Sequence, residues 1–407
     1  MTARMGAGQG TAMLLGGVLG PGMLVLPQLA AAAAGPASVL AWAGLLALSV
    51  PVALTFAALG GRHPDGGGVA AFAARAFGPR LAAMAGWWFY GSVPLGTVAA
   101  ALVGGGYVAD AFGLDRTAAA AALLAAAFLA NAAGLRTSGW LQLALLGGLV
   151  ALLAAAVVTA APHAAASSFT PFAPYGAAGV ASAAGVLLFA FVGWEAASHL
   201  SAEFADRRGL VRATVVTLAV ITALYLGVCL TTIGVLGDRA GATPVPLAAL
   251  LEIGLGAAAR PVTGVVAVLL TFGAVNTYIA GASRLGAAMA RTGALPGWFA
   301  RGGEPGRTPL RSLGLLAALS LPVLFVSGDL DVLMRATAAC LAAVTTVGVA
   351  AAVRLLPAGR PRATALAATV LSAVALACCG LYLLVPVTLG LLATVLIAVL
   401  PRRLLPD

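Results

Sequence analysis

The sequence predicts an all-α polytopic membrane protein, and three observations carry that prediction. Of its 407 residues, 62% are hydrophobic and only 8% charged, with a mean hydropathy of +1.06, far from the composition of ordinary soluble domains. Apolar windows of about 18–25 residues recur from end to end, each long enough to cross a hydrocarbon core of ~30 Å as a helix. The 22 basic residues, all arginine, are also unevenly spread. Counted over alternate loops from an inside N-terminus, 18 fall on the cytoplasmic side, and only Arg116, Arg239, Arg260 and Arg335 on the other. That asymmetry predicts cytoplasmic termini and an even number of spans.

Twelve spans are predicted, in order along the chain. The first, 9–33, contains Gly20-Pro21-Gly22 in "GGVLGPGMLVLPQL"; the break interrupts any signal-peptide core, so the segment is read as a span. Spans 38–60 and 82–109 flank "GRHPDGGGVAAFAARAFGPR", a Pro/Gly turn followed by a weakly amphipathic stretch expected to lie along the cytoplasmic face of the membrane. Uniformly apolar runs give spans 117–134 and 139–161, which complete a first five-helix repeat, 1–161.

Span 177–201 is the second unusual one, carrying Gly193 and Glu195 inside "AGVLLFAFVGWEAASHLSAEF". Spans 212–236 and 262–290 follow, the latter leading into a segment with five arginines from Arg284 to Arg311, read as a topological anchor. Spans 310–327 and 331–354 complete a second repeat, 162–355. After the basic "RLLPAGRPR", spans 363–381 and 383–400 form an appended pair within 356–407.

The interruptions in spans one and six are the first functional signal. Pro21 lacks an N–H and clashes with the preceding turn, while glycine favours irregular backbone. In lipid, each unpaired backbone group costs several kcal/mol, so a broken helix persists only where protein, water or a ligand satisfies it. Two breaks five helices apart are expected of inverted repeats whose interrupted helices meet near the bilayer midplane.

Other classes are disfavoured. The net charge of +10 is explained by topology, so no nucleic-acid partner is expected. The absence of lysine excludes a lysine amine from any intramembrane mechanism. Cys229, Cys340, Cys378 and Cys379 fall within predicted spans, where free cysteine behaves as a small apolar residue, and no metal or cofactor is expected. His199 and Glu203 have an i, i+4 spacing that zinc ligands can use. No third ligand accompanies them, because His63 and His163 fall on opposite sides, so a metalloenzyme is a distant alternative. A channel with broken filter helices is another.

Four stretches in order, "GxxGPGML", "HPDGGGVAAFAARAFGP", "FVGWEAASHLSAEF" and "GASRLGAAMARTGALP", resemble the amino acid, polyamine and organocation transporters with the LeuT-type five-plus-five fold. The nearest resemblance is to bacterial permeases that export methionine and branched-chain amino acids. It covers most of residues 10–310. It implies alternating access to a small-molecule amino acid, with its carboxylate at the backbone of Gly20, Gly22 and Met23 and its ammonium at the carbonyls of Val18, Phe189 and Val192. The physical chemistry agrees, since half-helix N-termini attract anions and unwound carbonyls attract cations. Pro21 departs from the Ser or Thr frequent in relatives and supplies neither hydroxyl nor N–H. Close helix packing is the competing role for Gly20 and Gly22.

The same resemblance implies a side-chain pocket lined by Leu95, Trp194, Tyr278 and Thr337. With no charged member, it favours leucine, isoleucine, valine, methionine or phenylalanine over charged substrates. Asn276 either faces this pocket or bonds between helices. Glu195 is a carboxylate deep in a span, costing at least about 2.5–3.5 kcal/mol if ionised. Burial favours its neutral form, so it either carries a proton or bonds the loosened backbone. His199 and Glu203 are gating candidates, Glu203 through an arginine on the cytoplasmic side. Proton and sodium both stay open as coupling ions: the region near Leu149 is apolar and lacks the lysine that replaces a sodium ion in some members of the family it resembles. Export is the expected direction, with uptake or exchange as alternatives. The expected setting is the cytoplasmic membrane bilayer, as a monomer or homodimer.

Overall fold

A computed structural model describes residues 6–63, 68–134, 139–191, 193, 194, 197, 204, 207–304, 307–326 and 328–399. The architecture is helical. Where the first span was expected, α1 (Ala7–Val18) and α2 (Leu26–Ala34) are separated by an irregular segment. The break starts where the sequence placed it. Leu19 N–H still reaches Leu15 O at 2.7 Å, Gly20 is extended at φ −125°, ψ 174°, and Pro21 opens a 3-10 turn, Pro21–Leu24. Gly35, at φ +60°, ends α2, a conformation that costs a Cβ-bearing residue but not glycine.

Next come α3 (Ser38–Arg62), α4 (Gly68–Phe77) and α5 (Pro79–Phe112). At 34 residues, α5 is about 50 Å long at 1.5 Å per residue. The amphipathic link is therefore a helix, α4, which buries Val69, Phe72 and Ala73 and packs against α5. α6 (Arg116–Ala132) is capped by the Asp115 carboxylate, which accepts from Ala118 N–H at 2.7 Å, satisfying one of the donors that a helix start leaves open. α7 is Gly139–Ala160.

The sixth predicted span opens as α8 (Gly176–Leu187), twelve residues like α1, and gives way to a 3-10 turn, Leu188–Ala190. Then follow α9 (Arg207–Leu236), α10 (Pro246–Leu255), α11 (Ala259–Arg291), α12 (Leu310–Val326), α13 (Leu330–Leu355), α14 (Arg360–Ala377) and α15 (Leu384–Val399). Among the described residues, seven helical segments are long and apolar enough to cross a membrane, and five shorter apolar helices accompany them. The chain is a multi-pass membrane protein.

Two features depart from the predicted spans. The stretch between the seventh and eighth predicted spans holds the ten-residue helix α10, started by Pro246 at its first turn. Too short to span, it gave no signal at the length of a crossing. Cys378 and Cys379 lie just beyond α14, not within a helix, because the helix ends at Ala377.

α5 is the central pillar and packs against α4, α6, α11, α12, α13 and α15. Its small residues allow close approach: a Cβ on Gly96 would sit 3.1 Å from Thr337 Cγ2 and 3.6 Å from Tyr278 Cε1. Three of the four arginines assigned to the non-cytoplasmic side make fixed contacts. Arg116 Nε donates to Leu102 O at 3.2 Å, Arg260 bonds Glu252 and Asp110, and Arg335 bonds Asp331 at 2.6 Å and Ser182 O at 2.7 Å.

Candidate functional site

The two breaks meet backbone to backbone. Gly193, at φ +120°, lies so close to the end of α1 that a Cβ would collide with Gly17 O and come within 3.1 Å of Val18 Cα. Both the dihedral and the contact demand glycine. On the other side of the break, the ring of Phe189 covers Gly22, where a Cβ would stand 2.8 Å from Phe189 Cδ1. Gly22 is thus closely packed. Gly20 differs: a Cβ there meets nothing within 4 Å, and its backbone is ordinary extended chain.

Two tyrosines from neighbouring helices hold the loosened carbonyls. The buried Tyr225 hydroxyl, on α9, lies 3.4 Å from Val18 O and 3.3 Å from Ala190 O, so its proton is shared between the two breaks. Tyr107, on α5, donates to Leu24 O at 2.7 Å. Around Tyr225, Trp42 and Phe191 both pack edge-on, with ring centroids 5.3 Å and 5.6 Å from it, a geometry that aromatic pairs favour. Sequence reasoning missed Tyr107, Tyr225 and Trp42. The available signal was a hydroxyl in an otherwise apolar span, since a buried tyrosine usually finds an acceptor.

The turn Pro21–Leu24 packs against α5 and α11, and the turn Leu188–Ala190 against α13. These helices carry three of the expected lining residues. Leu95 adjoins Gly96, against which Tyr278 and Thr337 close. Tyr278 also packs against Phe89 at 5.7 Å between centroids, and Thr337 Oγ1 donates to Leu333 O. None of these residues is charged.

The remaining candidates fall elsewhere. Met23 is buried, and its N–H donates to Gly20 O at 3.2 Å, so a carboxylate using that N–H must displace the turn bond. Asn276 takes the interhelical alternative, accepting from Asn131 Nδ2 of α6 through Oδ1 at 2.7 Å. Trp194 points to α3, its Nε1 donating to Ser49 Oγ at 3.2 Å. It lines a small cavity with α3, α13 and α14, apart from the Leu95, Tyr278 and Thr337 group. Val192, Glu195, His199 and Glu203 lie outside the described residues.

Two apolar helices interrupted where their irregular backbone meets inside a multi-pass membrane protein fit the class of membrane transporters. Comparison with known proteins makes this specific. Residues 9–399 match the amino acid permease family model, and the chain belongs to that family, within the amino acid, polyamine and organocation superfamily. It is 33% identical to the uncharacterized amino acid permease YecA of Bacillus subtilis over 356 residues, 86% of this chain and 84% of the relative. It is 32% identical to the L-methionine/branched-chain amino acid exporter YjeH of Escherichia coli over 288 residues, 69% of this chain and 68% of the relative. Identity to the branched-chain amino acid permease BcaP of Bacillus subtilis is 26%, over 75% of this chain and 70% of the relative.

Proposed function

We propose that the chain is a secondary active transporter of neutral apolar L-amino acids, leucine, isoleucine, valine, methionine and phenylalanine, working by alternating access in the cytoplasmic membrane. The observation that carries this reading is the contact of Gly193 with Gly17 and Val18, which brings the two irregular segments together. An amino acid needs donors for its carboxylate and acceptors for its ammonium, and irregular backbone offers both without a charged side chain. The uncharged group of Leu95, Tyr278 and Thr337 supports an apolar side chain, because a buried, unpaired guanidinium or carboxylate is costly to desolvate.

The wider architecture belongs to the same proposal: twelve spans, two inverted five-helix repeats, an appended pair and cytoplasmic termini. Export is the favoured direction, supported by the relative named an exporter. Proton coupling is assigned to Glu195, the carboxylate following Trp194, and cytoplasmic gating to His199 and Glu203.

Counterflow in proteoliposomes, screening twenty L-amino acids with and without sodium at two pH values, tests this. Leucine, isoleucine, valine and methionine exchange saturably on this reading, while arginine and glutamate do not. Glu195→Gln is expected to keep substrate binding but flatten the pH dependence. An unchanged pH profile removes the proton assignment, and arginine exchanging as fast as leucine removes the substrate class.

A further inference from the structure

We propose that a single ordered water occupies the cavity between α3, α13, α14 and the segment carrying the second break, bonded by Thr345 and Ser372. The cavity leaves ≈ 20 Å³ for a water molecule's centre, and its wall includes Ser49, Trp194, Thr345 and Ser372 among apolar side chains. That exceeds the ~10–15 Å³ a water needs and is far too small for an amino acid.

The hydroxyls identify the occupant. Thr345 is 8% and Ser372 5% exposed, and neither oxygen has a hydrogen-bond partner among the described residues. Elsewhere in these helices, half-buried hydroxyls donate back to their own chain: Thr346 to Ala342 O and Thr369 to Ala365 O, each at 2.7 Å. Thr345 and Ser372 do not. A buried hydroxyl left unpaired is destabilising, so two lining one water-sized space point to a shared partner. Ser49 Oγ, which donates to Leu45 O and accepts from Trp194, retains one lone pair as a third contact.

Those contacts meet the two to four partners that buried water requires. A bare cation fits worse, because the described wall holds neutral hydroxyls and an indole but no carboxylate. The water ties α13 and α14 to α3 at the place where Trp194 is seated, independently of any substrate.

The test uses the full chain in nanodiscs. Thr345→Val and Ser372→Ala are each expected to lower the thermal midpoint by roughly 1–3 °C, and the double variant to fall no further than the worse single one, because both remove the same bridge. Singles that raise the midpoint and add independently indicate a dry cavity and overturn the proposal. A density map that resolves ordered waters should show a peak within hydrogen-bonding distance of both oxygens; an empty cavity overturns it. So does a midpoint that rises when potassium is exchanged for sodium in the wild type but not in the double variant, which assigns the site to a cation.

Discussion

Gly20 and Gly22 are two residues apart and have opposite surroundings. Gly22 is covered by the Phe189 ring, so Gly22→Ala forces a collision whether or not a ligand binds there. Overpacking of this kind costs about 1–3 kcal/mol. Trimming the ring in Gly22→Ala/Phe189→Ala is expected to recover part of the lost thermal stability; additive losses would show that the ring is not the obstacle. Gly20 has an ordinary extended backbone and open space at its Cβ, so a side chain there should leave folding intact while occupying the approach to the break. Tyr225 is a third telling residue. Tyr225→Phe keeps the ring but withdraws the proton shared by Val18 O and Ala190 O. A loss of about 1 kcal/mol is expected in denaturation, with slower counterflow; unaltered counterflow would reduce the hydroxyl to a structural bond.

Among the elements, the helices that break were more legible than those that clamp. Gly20-Pro21-Gly22 stops α1 for reasons of covalent geometry, and Gly193 marks the second break because only glycine tolerates both its φ and the proximity of α1. α10 was not legible. Its ten apolar residues fall below span length, and its importance comes from long-range contacts. Arg260, at the start of α11, reaches Glu252 of α10 at 2.7 Å and Asp110 of α5 at 3.3 Å, while Gln28 of α2 donates to Gly241 O in the approach to α10. The arginine is 42% exposed, so Arg260→Gln should cost no more than about 1 kcal/mol in global stability. It should nevertheless speed amide hydrogen exchange in α10, because a clamp joining three elements is lost. Unchanged exchange in α10 would mean that the apolar packing on α7 holds the helix without it. The same distinction explains the site. Tyr278 and Thr337 close on Gly96, the neighbour of Leu95, whereas the direction of Trp194 toward Ser49 depends on how the segment turns after its break, which spacing along the chain does not specify.

At the scale of the molecule, one arrangement accounts for composition, fold and family. Long apolar helices carry the chain through a membrane, and two of its segments stop short to place irregular backbone side by side in the interior. Family membership points to an amino acid as cargo, and the proposed uncharged wall would select within that class. The central claim is that an apolar amino acid binds at the joined breaks. The most direct measurement is equilibrium binding of labelled L-leucine to purified protein in nanodiscs, for the wild type, Gly20→Val and Gly44→Val. Gly44 on α3 is the control, since a Cβ there also meets nothing within 4 Å. Saturable binding that methionine and isoleucine displace and arginine does not, lost in Gly20→Val and kept in Gly44→Val, is the predicted result. Near-normal leucine affinity in a folded Gly20→Val protein, or displacement by arginine as effective as by methionine, would contradict it.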